Sequence, residues 1–228
     1  MEVEFVMPIA TATNYLAAIA HIPAGASLRV DDVAWEEYEQ LLAGLSENAS
    51  VRVYYDHGRM EIMSPLRQHE APVEIIARLI SVLSDELEID IEPLGSTTLR
   101  SEMQEQGAEP DASFYVQHAA AVIGKDDLDL AHDPPPDIVI ESDLTSSSLD
   151  KFPIYVGLGV PEIWHIAKRR VRIFVLVGTH YQDTASSFAF PFLSAQALTE
   201  LMSRGLNEGA TAAARTLRDW MRKHLPQV

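Results

Sequence analysis

From His69 to about Leu87 apolar residues recur at alternating steps of three and four. Val73, Ile76, Ile80, Leu83 and Leu87 thereby fall on one side of a helix, the period of a segment laid against a core. Pro72 suits the first turn of that helix, where a backbone amide has no partner to lose. Upstream, "DDVAWEEYEQLLAGL" carries the same period, with Val33, Tyr38, Leu41, Leu42 and Leu45 roughly on one side. Between the two, "SVRVYYDHGRMEIMSP" changes to β-rich runs on either side of "DHG", and Gly58 supplies the positive-φ position that a tight hairpin needs. Extended runs follow in "IDIEPLGSTTLR" and "EPDASFYVQ", then an acidic, proline-rich surface loop, "GKDDLDLAHDPPP".

The strand "DIVIES" comes next, then a short helix around "SLDKFPIYVGLG" and the paired runs "PEIWHIA" and "RVRIFVLVG" about the basic turn "KRR". Two helices close the chain, near "SAQALTELMSRG" and "EGATAAARTLRDWMRKHL". Helix, strands, helix and strands in this order predict an α/β fold, a mixed central sheet with helices on its faces. Residues 1–30 show no clear period and are set apart as an N-terminal extension, leaving 31–228 as a single domain.

The chain's 228 residues, 47% of them hydrophobic, are enough for one such core. The absence of cysteine excludes disulfides, thiolate nucleophiles and cysteine-bound zinc, so any metal must be held by oxygen or imidazole. No apolar run approaches the roughly 20 residues needed to span a bilayer, and the first residues lack the basic start of a secretory signal; a cytoplasmic location is expected. The formal charge of -17, from 17 basic against 34 acidic residues, opposes binding to a phosphate backbone except where basic residues cluster.

Alternation along "DIVIES" puts Asp137, Val139, Glu141 and Asp143 on one strand face, with Glu141 and Asp143 about 7 Å apart. Two carboxylates so placed either reach solvent or share a cation or lysine between them. Asp111 repeats the design, since Glu109 and Asp111 lead straight into the apolar "ASFYV"; on a neighbouring strand Asp111 would face Glu141. Lys151 precedes Pro153 at the start of a helix, where the macrodipole disfavours a cation. It is either solvated beside Asp150 or aimed at the strand-end acids. Glu70 opens the long helix near its buried stripe, either favouring the helix terminus or reaching the same acids, with Glu74 as the substitute. The histidines show no metal-binding spacing, and His69 is the one closest in sequence to these acids. "GSTTLRSE" and "AKRRVR" offer polar and basic contacts that a solvated surface would also show.

Taken together, "YYDHGRMEIMSPLRQHE", "EPDASFYV", "PPPDIVIESDLTSSSLDKFPIYVGLGVPEIWHI" and "FAFPFLS" resemble the Uma-two-type putative restriction endonuclease family, a branch of the PD-(D/E)XK nuclease superfamily. The similarity runs from about Asp31 to the C-terminus. It implies a restriction-endonuclease-like mixed central β-sheet flanked by helices, and hydrolysis of phosphodiester bonds in DNA. By the same resemblance Asp111 and Glu141 hold Mg²⁺ (or Mn²⁺), Lys151 stands for the motif lysine, and Glu70 for the acid of the first core helix. The lysine expected two residues past Glu141 is replaced by Asp143. A homodimer is the common form of nucleases that cut both strands, and "VRIFVLVG" is either its interface or core. The acidic balance keeps two other readings open: a catalytically inactive nuclease-fold module that binds another protein, and a hydrolase of smaller phosphoesters.

Overall fold

A computed structural model describes residues 12–45, 51–64, 67–125, 127–143 and 150–225. The chain runs α1 (Ala12–Ile19), β1 (Ser27–Val30), α2 (Trp35–Gly44), β2 (Arg52–Asp56), β3 (Arg59–Met63) and α3 (Arg67–Leu87). It continues with β4 (Glu92–Gly95), β5 (Leu99–Ser101), β6 (Gln106–Ala108), β7 (Ala112–Tyr115), α4 (Ala119–Val122) and β8 (Ile138–Asp143). The last elements are α5 (Phe152–Gly157), β9 (Glu162–Ala167), β10 (Arg170–Val177), β11 (His180–Thr184), α6 (Ala195–Glu208) and α7 (Ala210–His224). These form two compact units, one from residues 1–66, 98–109 and 147–158, the other from 67–97, 110–146 and 159–228.

The first unit contains an antiparallel sheet in the order β1-β3-β2-β6-β5. Its hairpin turns at His57 (φ 48°) and Gly58 (φ 82°), the left-handed pair that a two-residue connection between twisted strands requires. Alternation sends Val53, Tyr55, Met60 and Ile62 into a core with Val33, Tyr38 and Leu41, where the Tyr38 and Tyr55 rings stack at 4.8 Å. Tyr15 of α1 and Leu28 of β1 are buried there too, so part of the stretch without a clear period contributes to this core.

The second unit carries a six-stranded mixed sheet in the order β11-β10-β9-β8-β7-β4, in which β8 and β9 run parallel and the other pairs antiparallel. Ala112, Phe114, Ile138, Ile140, Trp164, Ile166, Val171 and Ile173 share a core with Ile76, Leu79, Ile80 and Leu83 of α3, Leu198 and Met202 of α6, and Leu217 and Met221 of α7. This is the predicted mixed sheet with helices; the separate five-stranded sheet is a division that periodicity does not reveal. Helix α3 begins at Arg67, so Pro72 is its sixth residue rather than part of its first turn, and one backbone hydrogen bond is forgone. Glu162 is fully buried within β9, yet its carboxylate is met by Trp164 Nε1 at 2.7 Å and by the amides of Phe188 and Ala189 at 3.1 and 2.9 Å.

Candidate active site

Strands β7 and β8 pair with Ala112 opposite Ile140, and both side chains enter the helix-covered core. Alternation along β8 turns Glu141 to the other face, and Asp111, the residue before β7, bonds to the two residues that flank Glu141. The Asp111 amide donates to the Ile140 carbonyl at 3.1 Å, and its Oδ2 accepts from the Ser142 amide at 2.7 Å. That second bond ties the carboxylate to the end of β8, beside a Glu141 that is only 1% exposed. Burying a carboxylate of this kind is costly without compensating partners.

Along the parallel pairing, the neighbour of Glu141 on β9 is His165, and the neighbour of His165 on β10 is Arg172. Trp164, Ile166, Val171 and Ile173 all face the helices, so His165 and Arg172 share the face of Glu141. Arg172 lies over the Phe174 ring, 4.6 Å from its centroid, and holds Asp183 at 2.6 and 2.9 Å. The His165 ring meets Phe174 edge-on at 6.2 Å. His165 escapes a reading based on spacing because its closeness to Glu141 comes from strand order, and the one available signal is a polar residue inside the apolar run "PEIWHIA".

The other predicted residues are distributed differently. Glu109 belongs to the first unit, where it accepts from Arg52 at 3.1 Å. Asp143 ends β8 opposite Ala167, and its side chain lies outside the described residues, as do those of Arg67 and His69. Glu70 is exposed in the first turn of α3, and Glu74 is exposed one turn on, so neither joins the buried stripe. From the stretch "GSTTLRSE", Arg100 is engaged by Glu39 at 2.9 Å and the Thr97 hydroxyl donates to the Leu94 carbonyl, so both serve local structure.

Lys151 lies in the first unit as the N-cap of α5, with Pro153 in the first helical turn. It is 5% exposed, which overturns the solvated reading, while Asp150 is exposed and caps the Phe152 amide at 3.1 Å. The Lys151 ammonium sits over the buried ring of Tyr54, 4.3 Å from its centroid, a cation-π contact in a desolvated place. Tyr54 is opposite Glu61 in the β2–β3 ladder, and Glu61 is itself 2% exposed. The signal for both is in the sequence: with Val53, Tyr55, Met60 and Ile62 on the core side, Tyr54 and Glu61 must point the other way.

Among the described residues no group of three or more His, Cys, Asp or Glu side chains is arranged to hold a metal ion. Asp111 and Glu141 offer two carboxylates, a donor set suited to Mg²⁺, which uses one or two such ligands and keeps several waters. Also among the described residues, no helix is long and apolar enough to cross a membrane.

A mixed sheet packed against helices, with a buried acid on one strand and a second acid bonded beside it, is an α/β fold with a candidate acidic site. The chain belongs to the Uma2 family, described as putative restriction endonucleases, whose family model matches residues 35–209. Membership of this family supports a nuclease. Among solved structures, the chain is similar to a putative nuclease of the DUF820 group from Anabaena variabilis ATCC 29413, with 17% identity, a TM-score of 0.47, and coverage of 75% of this chain and 99% of that one. No curated protein matches the chain.

Proposed function

We propose that the protein is an endonuclease that hydrolyses phosphodiester bonds in DNA with the help of Mg²⁺ or Mn²⁺. The observation that carries this reading is Asp111 bonded to the Ile140 carbonyl and the Ser142 amide, on either side of the buried Glu141, in a chain of a putative restriction endonuclease family. The two carboxylates would hold the cation, which when bound makes water a better nucleophile at neutral pH and offsets charge gathering on the phosphoryl oxygens. The Ser142 amide fixes the orientation of Asp111, so that carboxylate is presented without further reorganisation. The roles of Lys151, which would stabilise the developing negative charge, and of Glu70, which would orient water, are proposed from motif order alone. Incubation of supercoiled plasmid with the protein and Mg²⁺ or Mn²⁺ should give nicked or linear product, lost in Asp111→Ala and Glu141→Ala. Cleavage that survives either substitution refutes this assignment.

The net charge of -17 favours one other reading, an inactive nuclease-fold module that binds a protein. Isothermal titration with Mg²⁺ and Mn²⁺ separates the two. Binding that disappears in Glu141→Ala supports the enzyme, and no binding to the wild type supports the module.

A further inference from the structure

Four of the chain's 17 basic residues, Lys168, Arg169, Arg170 and Arg172, fall within five positions, and the fold gives that stretch a definite place. Ala167 ends β9 opposite Asp143, the last residue of β8, so the turn that follows projects from the sheet at the end that carries Glu141. Strands β9 and β10 share the register Arg170 with Ala167 and Arg172 with His165. Since Val171 and Ile173 face the helices, Arg170 and Arg172 lie on the face of Glu141. From Glu141 through His165 to Arg172 the row crosses two strand spacings, about 10 Å.

Charge on this hairpin is sparsely neutralised. Among the described residues no carboxylate pairs with Lys168, Arg169 or Arg170; Arg169 meets only the neutral Asn207 amide at 3.4 Å, and Arg172 alone is held by an acid, Asp183. The other basic stretch, on α7, differs: Arg218 and Arg222 are both taken up by Glu86 of α3.

The backbone provides an independent observation. Among the described residues three two-residue connections join antiparallel strands, and two of them place glycine in the left-handed region, Gly58 at φ 82° beside His57 at φ 48°, and Gly178 at φ 64°. The third holds Lys168 at φ 49° and Arg169 at φ 61°, where a side chain is disfavoured and Asn-Gly is the preferred pair. The tip therefore keeps two cations at a conformational cost that ordinary turn chemistry would avoid. The turn itself demands the left-handed pair; what the sequence adds is that neither position is the glycine that would fill it at least cost.

We infer that the β9–β10 hairpin grips the phosphate backbone of duplex DNA, with Lys168 and Arg169 at its tip and Arg170, Arg172 and His165 along its face. This inference rests on the nuclease reading and locates where an acidic chain gathers the charge needed to hold a polyanion. Phosphate contacts of this type release counterions, so each one raises the salt dependence of binding without reading sequence.

The test is anisotropy of a fluorescent duplex in EDTA, from 50 to 200 mM salt, for the wild type, Lys168→Asn/Arg169→Gly and Arg170→Gln. The double variant installs the favoured turn, so it should melt at or above the wild-type temperature, by roughly 2–4 °C. Its binding should nevertheless weaken, with a log–log salt slope shallower by about 2, and Arg170→Gln should lose about 1. Wild-type affinity and slope in both variants overturn the inference and leave the nuclease reading standing if the wild type cuts plasmid. A wild type that neither binds duplex nor cuts plasmid removes both.

Discussion

Gly157, the last residue of α5, is in contact with β6 at a place that admits no side chain. A Cβ there would lie 1.6 Å from Gln106 Oε1 and 2.8 Å from its Cδ. The Gln106 amide is buried and donates to Asp56 Oδ1 at 2.9 Å and to the Pro153 carbonyl at 3.3 Å, so Gly157→Ala must evict it and break both bonds. A hydrogen bond to a charged group contributes about 1.5–3 kcal/mol. Alanine in place of glycine returns up to about 1 kcal/mol of helix propensity. The bond to Asp56 alone leaves a net loss of about 0.5–2 kcal/mol, and the bond to the Pro153 carbonyl adds about 0.5–1.5. In a Gln106→Ala background the obstruction is already gone and only the propensity gain remains, so the same substitution should stabilise by up to about 1 kcal/mol. Urea denaturation of the wild type, the two single variants and the double variant measures this coupling. Equal effects of Gly157→Ala in both backgrounds would refute the packing account.

In the second unit a Cβ on Gly205 would come within 2.7 Å of Ile75 Cγ2, so Gly205→Ala should destabilise by about 1–3 kcal/mol, and in an Ile75→Ala background, which lacks that methyl, the same change should cost less in chemical denaturation. Burial pushes the Asp56 carboxyl up, but hydrogen bonds from Gln106, His57 and Arg59 outweigh it and hold its pKa below the ordinary aspartate value. Ionised Asp56 thus contributes stability that is fully present above the unfolded value of about 3.9 and is lost as pH falls through the lower folded value. The stability gap between the wild type and Asp56→Asn should stay constant from pH 7 to about 5 and narrow below about 4, as followed by urea melts across that range. Lys151→Met takes the ammonium off the buried Tyr54 ring, which should cost about 0.5–2 kcal/mol in urea melts, and plasmid cleavage by the folded variant should fall; a folded variant as active as the wild type removes Lys151 from the reaction.

Legibility tracked whether a residue's position follows from its own segment. Helices α3, α6 and α7 carry unbroken apolar stripes, and the β2–β3 turn announces itself through Gly58. Asp111 and Glu141 stand out because acids adjoin strands too apolar to be exposed. Strand β11 reads "HYQDT", a mostly exposed edge with no apolar alternation, and β6 spans only Gln106–Ala108, too short for a period. His165 beside Glu141, and Tyr54 beneath Lys151, depend on lateral order and on contacts between distant segments, which no local pattern encodes. Glu70 shows the opposite limit: helical spacing placed it near the stripe, yet one step around the helix sufficed to leave it in solvent.

The chain passes between its two units five times, at residues 66/67, 97/98, 109/110, 146/147 and 158/159. Neither half can be excised by trimming an end or deleting one span, and a fragment library cut at single points would divide at least one of them wherever the scissors fell. Dissection of this protein must therefore proceed by point substitution, and a genetic fusion or split reporter should be attached at a terminus rather than at any of these crossings.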